Sequence, residues 1–136
     1  MTRTVSPDEF ADAAEALLGA PFRLGGRDPA TGIDCVGLVA AALGGADGPS
    51  GYGLRNAAID RHLPFAARAG FAPATGASER GDLILAAPGP AQHHLLIALG
   101  EDCFVHAHAG LRRVVLHSGP IPWPTRARWR LIHEST

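Results

Sequence analysis

Few residue types here are in excess, and the absences carry information. Only two cysteines occur, Cys35 and Cys103, too few for a disulfide scaffold in a chain of 136 residues, so both are read as free thiols. Neither sign of charge dominates: 12 Lys+Arg against 13 Asp+Glu give a formal net charge of −1, and no basic block marks a nucleic-acid or anionic-membrane surface. No nucleic-acid partner and no membrane insertion are expected. Residues 1–7 lack the apolar run of a secretory signal, so the chain is expected to be made in the cytoplasm and to stay there unless a larger assembly carries it out. No internal repeat or low-complexity tract appears. The 46% of hydrophobic residues suffices for one core, and 1–136 is expected to form a single domain.

What is present reads as helices followed by strands. Ser6 with Glu9 three residues on is a capping box, and Pro7 suits the first helical position. Phe10, Ala13, Ala14, Leu17 and Leu18 form one apolar stripe that stops at Gly19 and Pro21. Residues 22–33 are rich in turn formers and read as loop. Residues 35–43 (CVGLVAAAL) are apolar all round, as in a helix buried on every side, with Asp34 as N-cap and Gly44 as stop. Residues 44–53 are loop, 56–69 a weaker helical pattern broken by Pro64, and 72–81 loop again. Strand-like runs follow: DLILAA from Asp82, HLLIAL from His94, CFVHAHA from Cys103, RVVLH from Arg113 and ARWRLI from Ala127. The pattern predicts an α+β fold, with N-terminal helices packed on an antiparallel sheet of about five strands.

Cys35 at the first turn of a buried helix faces unpaired N–H groups and the positive end of the dipole, which favour a thiolate. A nucleophilic thiol also needs a base, and the candidates are His62, His93, His94, His106, His108, His117 and His133. A hairpin turning at residues 100–102, with Leu99 paired to Cys103, sets Leu96 opposite His106 and His94 opposite His108. His94, His106 and His108 then share one face, and Leu95, Ile97, Leu99, Cys103 and Val105 the other. A one-residue slip would split the histidines. His62, His117 and His133 are read as structural or solvated.

Asp34-Cys35-Val36-Gly37-Leu38-Val39 resembles the D-C-x-G-[LF]-V motif of the NlpC-type papain-like cell-wall peptidases. PFRLGGRDPATGIDC upstream, and RGDLILAA, HLLIALG and FVHA downstream, are similar to that family's loop and strands, in its order, across roughly residues 8–110. The resemblance implies a papain-like fold with Cys35 as nucleophile, His94 as base and His106 as the residue orienting it. It also makes Phe22, Asp34, Val36 and His108 the expected substrate-binding or oxyanion positions, and implies neither metal nor cofactor. His108, set opposite His94 by the hairpin register, competes with His106 for the orienting role. The implied activity is hydrolysis of amide bonds in the peptide stem of peptidoglycan through an acyl-thioenzyme, such as the bond between D-glutamate and the diamino acid. Val36 and LLIALG look most like the branch found in phage tails and gene transfer agents, which implies phage-like tail proteins as partners and delivery to the wall within a particle.

Two positions depart from the family pattern: Val36 replaces a serine and Phe22 a tyrosine whose hydroxyl could bind an oxyanion. Loss of one such donor can cost about 10²–10³ in rate. A non-catalytic tail-assembly or binding module on the same fold is therefore the alternative, and acyl transfer or deamidation would use the same thiol chemistry. A zinc site built from Cys35, Cys103, His94, His106 and His108 is disfavoured, because strand alternation turns Cys103 away from His106 and no C-x-x-C pair is present.

Overall fold

A computed structural model of the chain describes residues 5–44, 70–89 and 93–131. The weaker helical pattern at 56–69, with His62 in it, and His133 lie outside the described residues.

The capping box forms as the sequence implies. Ser6 Oγ accepts the Glu9 N–H and Glu9 Oε1 accepts the Ser6 N–H, both at 3.1 Å, and Pro7 opens helix α1 (Pro7–Ala16). Phe10 and Ala14 are fully buried, while Leu18 lies beyond the helix end and is 37% exposed, so the apolar stripe is one residue shorter than its periodicity suggested. The loop at 22–33 contains a small antiparallel hairpin, β1 (Arg27–Asp28) with β2 (Gly32–Ile33), too short to leave a period in the sequence. It leads directly into α2 (Cys35–Ala42), capped by Asp34, whose carboxylate accepts the Gly37 N–H at 2.8 Å.

The main sheet has six antiparallel strands, one more than expected: β3 (Phe71–Pro73), β4 (Leu83–Ala86), β5 (His94–Gly100), β6 (Cys103–His108), β7 (Arg113–Ser118) and β8 (Thr125–Leu131), in the order β3-β8-β4-β5-β6-β7. The additional strand, β3, starts just before a stretch read as loop and is three residues ending in Pro73. Among the described residues it pairs only with β8, as befits an edge strand whose proline cannot donate a ladder bond.

Both faces of the central strands are buried, which explains why LILA shows no polar alternation. Leu83, Leu85, Leu95, Ile97, Val105 and Ala107 pack with Phe10, Leu38 and Val39 of the helices; Ile84, Ala86, Leu96, Ala98 and Phe104 pack on the other side against Ile121 and Trp123. Asp82 locks the entry to β4. It is fully buried and takes a two-pronged bond from Arg130, Nε to Oδ1 and Nη2 to Oδ2, each 2.8 Å. Gly81 before it, at φ +93°, lies so near the Pro7 carbonyl that a Cβ would collide with it. Among the described residues no helix is long and apolar enough to cross a membrane.

Candidate functional site

The loop before α2 is held to the helix from within. Asp34, fully buried, accepts N–H bonds from Gly25 and Gly37 at 2.8 Å each and an ion pair from Arg27 Nη1 at 3.2 Å. A Cβ on Gly37 would collide with the Gly26 carbonyl, so the glycine allows loop and helix to close on each other. Asp34 is thus a brace for the loop, and being fully buried it is not available to substrate as the sequence reading supposed. Val36 is likewise fully buried in the core, which removes its side chain from any binding role. Phe22 is half-buried against the core and its N–H is spent on the Arg112 carbonyl at 2.9 Å, so it supplies no oxyanion donor.

Cys35, 5% exposed, opens α2 where that helix packs on β5 and β6. Burial pushes its thiol up to about 11; the N–H of Leu95 pulls the other way, the charge of Asp34 adds to the rise, and the N–H groups of Val36 and Cys35 oppose it. At this site burial outweighs the helix start, contrary to the thiolate expected from the dipole. The N–H that meets the sulfur belongs to Leu95, so the backbone beside the thiol runs straight into His94.

The histidine face forms along β5 and β6. Ile97 pairs with Val105 and Ala98 with Phe104, as expected, but the expected Leu99–Cys103 pair is replaced by Gly100 opposite Cys103. A bulge at Leu99 lengthens β5 to Gly100 and tightens the turn to Glu101-Asp102 without disturbing register toward the histidines. His94 Nε2 lies 2.8 Å from His106 Nδ1, with the rings edge to face at 84°. The contact is diagonal across the ladder, between residues on one face. His108 does not take that place: its Nδ1 accepts the Leu111 N–H at 3.0 Å, and its ring stands 5.6 Å from that of His106.

Two further residues join this face. His117, read from sequence as structural, lies 6.3 Å ring to ring from His106 and contacts the Pro120 carbonyl at 2.9 Å through Nε2. Trp123, which the sequence reading missed, stands edge-on to both imidazoles, 5.8 Å from His94 and 6.2 Å from His106. Its one sequence signal is the Pro-Trp-Pro turn at 122–124, where a large aromatic would otherwise be stranded in solvent. His94, His106, His108 and Trp123 line a cleft of ≈ 180 Å³ with Pro88, Ala109 and Gly110. Burial, then charge on His106 and His108, lowers His94 to about 3; burial, then charge on His108 and His117, lowers His106 to about 4. Both rings are therefore neutral at neutral pH. Among the described residues no three His, Cys, Asp or Glu side chains are placed to hold a metal ion.

The same fold recurs in known structures. NlpC1 from Trichomonas vaginalis superposes with a TM-score of 0.71 at 21% identity, over 94% of this chain and 45% of that one. The NlpC/p60 domain of the peptidoglycan hydrolase SagA gives 0.57 at 27% identity, over 84% of this chain and 90% of that domain. The peptidoglycan hydrolase RipB from Mycobacterium tuberculosis gives 0.65 at 24%, over 94% and 65%. This chain thus spans less than half of the Trichomonas protein. No curated protein matches. The sequence profile of the NlpC/P60 family covers residues 19–123, from the end of the first helix through the thiol and the imidazole pair to the tryptophan beside them, and the chain belongs to that family.

Proposed function

We propose that this chain is a cysteine peptidase that hydrolyses amide bonds in the peptide stem of peptidoglycan, with Cys35 as nucleophile, His94 as base and His106 as its positioning residue. The observation that carries the reading is the 2.8 Å contact between His94 Nε2 and His106 Nδ1, which leaves Nδ1 as the free nitrogen of His94. In the tautomer that donates Nε2–H to His106, that Nδ1 carries a lone pair and can take a proton, and the proposed mechanism uses the pair in this form. SagA and RipB, both peptidoglycan hydrolases, support the substrate class.

The resting pair is a neutral thiol and a neutral imidazole, so the proton moves as the substrate arrives. Sγ attacks the scissile carbonyl carbon while its proton passes to His94 Nδ1, and the carbonyl π-electrons become an oxyanion within reach of the Cys35 N–H. Collapse expels the amine, which takes the proton from His94 and leaves a thioester on Cys35. Water, deprotonated by His94, attacks the thioester; the carboxylic acid departs and Sγ regains the proton.

The finer reading is cleavage between D-glutamate and the diamino acid by an enzyme carried in a phage-like tail. The bond follows from the resemblance to the NlpC-type family, and the tail placement from the Val36 and LLIALG variants of its motifs. The rise of the Cys35 thiol to about 11 favours a second reading, a binding module with an unreactive thiol. Digestion of purified peptidoglycan, with the released fragments identified by mass, separates them. New stem-peptide termini that vanish in Cys35→Ala uphold the peptidase; an intact wall under both proteins, with the wall still bound, upholds the module.

A further inference from the structure

Arg113 opens β7 directly across the ladder from His108. Residues so paired project side by side from one face of a sheet, so the guanidinium leaves the backbone on the imidazole side, next to the cleft. Arg27, Arg80 and Arg130 are each paired with carboxylates. Arg113 is exposed, and no described carboxylate pairs with it. None of the described residues lining the cleft is acidic.

His108 is prepared from the other side. Its Nδ1 accepts the Leu111 N–H, so the ring proton is on Nε2, and the ring presents a donor. The hairpin is shaped to this ring: a Cβ on Gly110 would come within 3.0 Å of His108 Cε1, and Arg112 closes the turn at φ +58°. A fixed donor thus sits beside a guanidinium that no described carboxylate pairs, at the end of a cleft with no acidic residue in its described lining.

We propose that Arg113 and His108 form a carboxylate subsite at the cleft, which selects peptides carrying a free carboxylate over the corresponding carboxamides. The guanidinium supplies charge and a planar pair of donors, and His108 Nε2–H fixes the direction of approach. The subsite rests on the stem-peptide reading only for the source of the carboxylate.

The test uses stem peptides in which each free carboxylate is converted in turn to the carboxamide. For one position, wild type should show a KM for the acid lower than for the amide by roughly fivefold or more, a gap that narrows at raised ionic strength. Arg113→Gln should abolish the gap by raising KM for the acid alone, and Arg113→Lys should restore part of it. Equal KM values at every position, or a gap that survives Arg113→Gln, overturn the subsite while leaving the peptidase intact. Should wild type cut no peptide, titration of the same peptides into Cys35→Ala decides. A preference for one acid that Arg113→Gln removes upholds the subsite although the peptidase reading fails, and equal binding overturns it.

Discussion

Arg27 reaches Asp34 at 3.2 Å one residue before the thiol, so the charge that opposes ionisation of Cys35 is itself opposed. Asp34 is fully buried, whereas the Arg27 side chain is 33% exposed. Replacing Arg27 by Gln leaves the carboxylate with its N–H donors but without the cation, and the thiol should become harder to ionise. Alkylation of Cys35 by iodoacetamide is expected to slow, with its pH profile displaced upward, and Arg27→Lys should recover part of the rate. The loss of stability should be about 1–3 kcal/mol, below that of a fully buried pair because solvent screens the guanidinium. Labelling of Arg27→Gln at the wild-type rate would show that the ion pair holds only the loop.

The diagonal contact of His94 with His106 separates two candidates that the hairpin register alone leaves level. His106→Ala should cost about 10²-fold or more in kcat, by analogy with other triads, and His106→Asn should retain much of it because an amide can still bond Nε2. His108→Ala should act on KM for acidic peptides more than on kcat. A larger loss of kcat from His108→Ala than from His106→Ala would transfer the orienting role to His108.

The acid limb of stability follows from the same pair. Folding lowers His94 from 6.5 to about 3 and His106 from 6.5 to about 4. Between those values and 6.5 the unfolded chain holds more protons than the folded one, so stability rises with pH across that window and falls as the solution is acidified. Each imidazole contributes a slope of up to about 1.4 kcal/mol per pH unit. Urea unfolding at several pH values between 4 and 7 measures it. His106→Asn should make the slope shallower, and a flat wild-type profile would mean that the rings are solvated in the folded state.

The elements that could be read in advance are those written in local pattern. Ser6, Glu9 and Pro7 start α1, Asp34 starts α2, and parity along β5 and β6 places His94 with His106. The strand β3 could not be read, because three residues carry no period and pair with a segment nearly sixty positions later. Nor could the roles of Asp34 and Val36: a polar residue beside a nucleophile looks like a binding group until its burial is known. The thiol is the sharpest case. The favourable helix start is a local property, whereas the burial that overrides it is made by α2 lying on β5 and β6.

Trp123 is the other feature that only the folded chain displays, and it leads to a test of what keeps the imidazoles neutral. Burial is the leading cause of the depression at both His94 and His106, and the indole edge meets both rings. Removing it by Trp123→Ala should admit water to the cleft and raise both values toward 6.5. A base that was free down to about 3 would then be protonated in mildly acidic solution, so kcat/KM should acquire an acid limb near pH 5–6 that the wild type lacks. Trp123→Phe keeps an apolar ring over the pair and should keep the profile flat. Packing loss alone would lower activity at every pH alike, so the shape of the profile, and not its height, decides. If Trp123→Ala loses activity uniformly from pH 5 to pH 8, the indole serves only to fill the second core, and the neutrality of His94 and His106 comes from the strands beneath them.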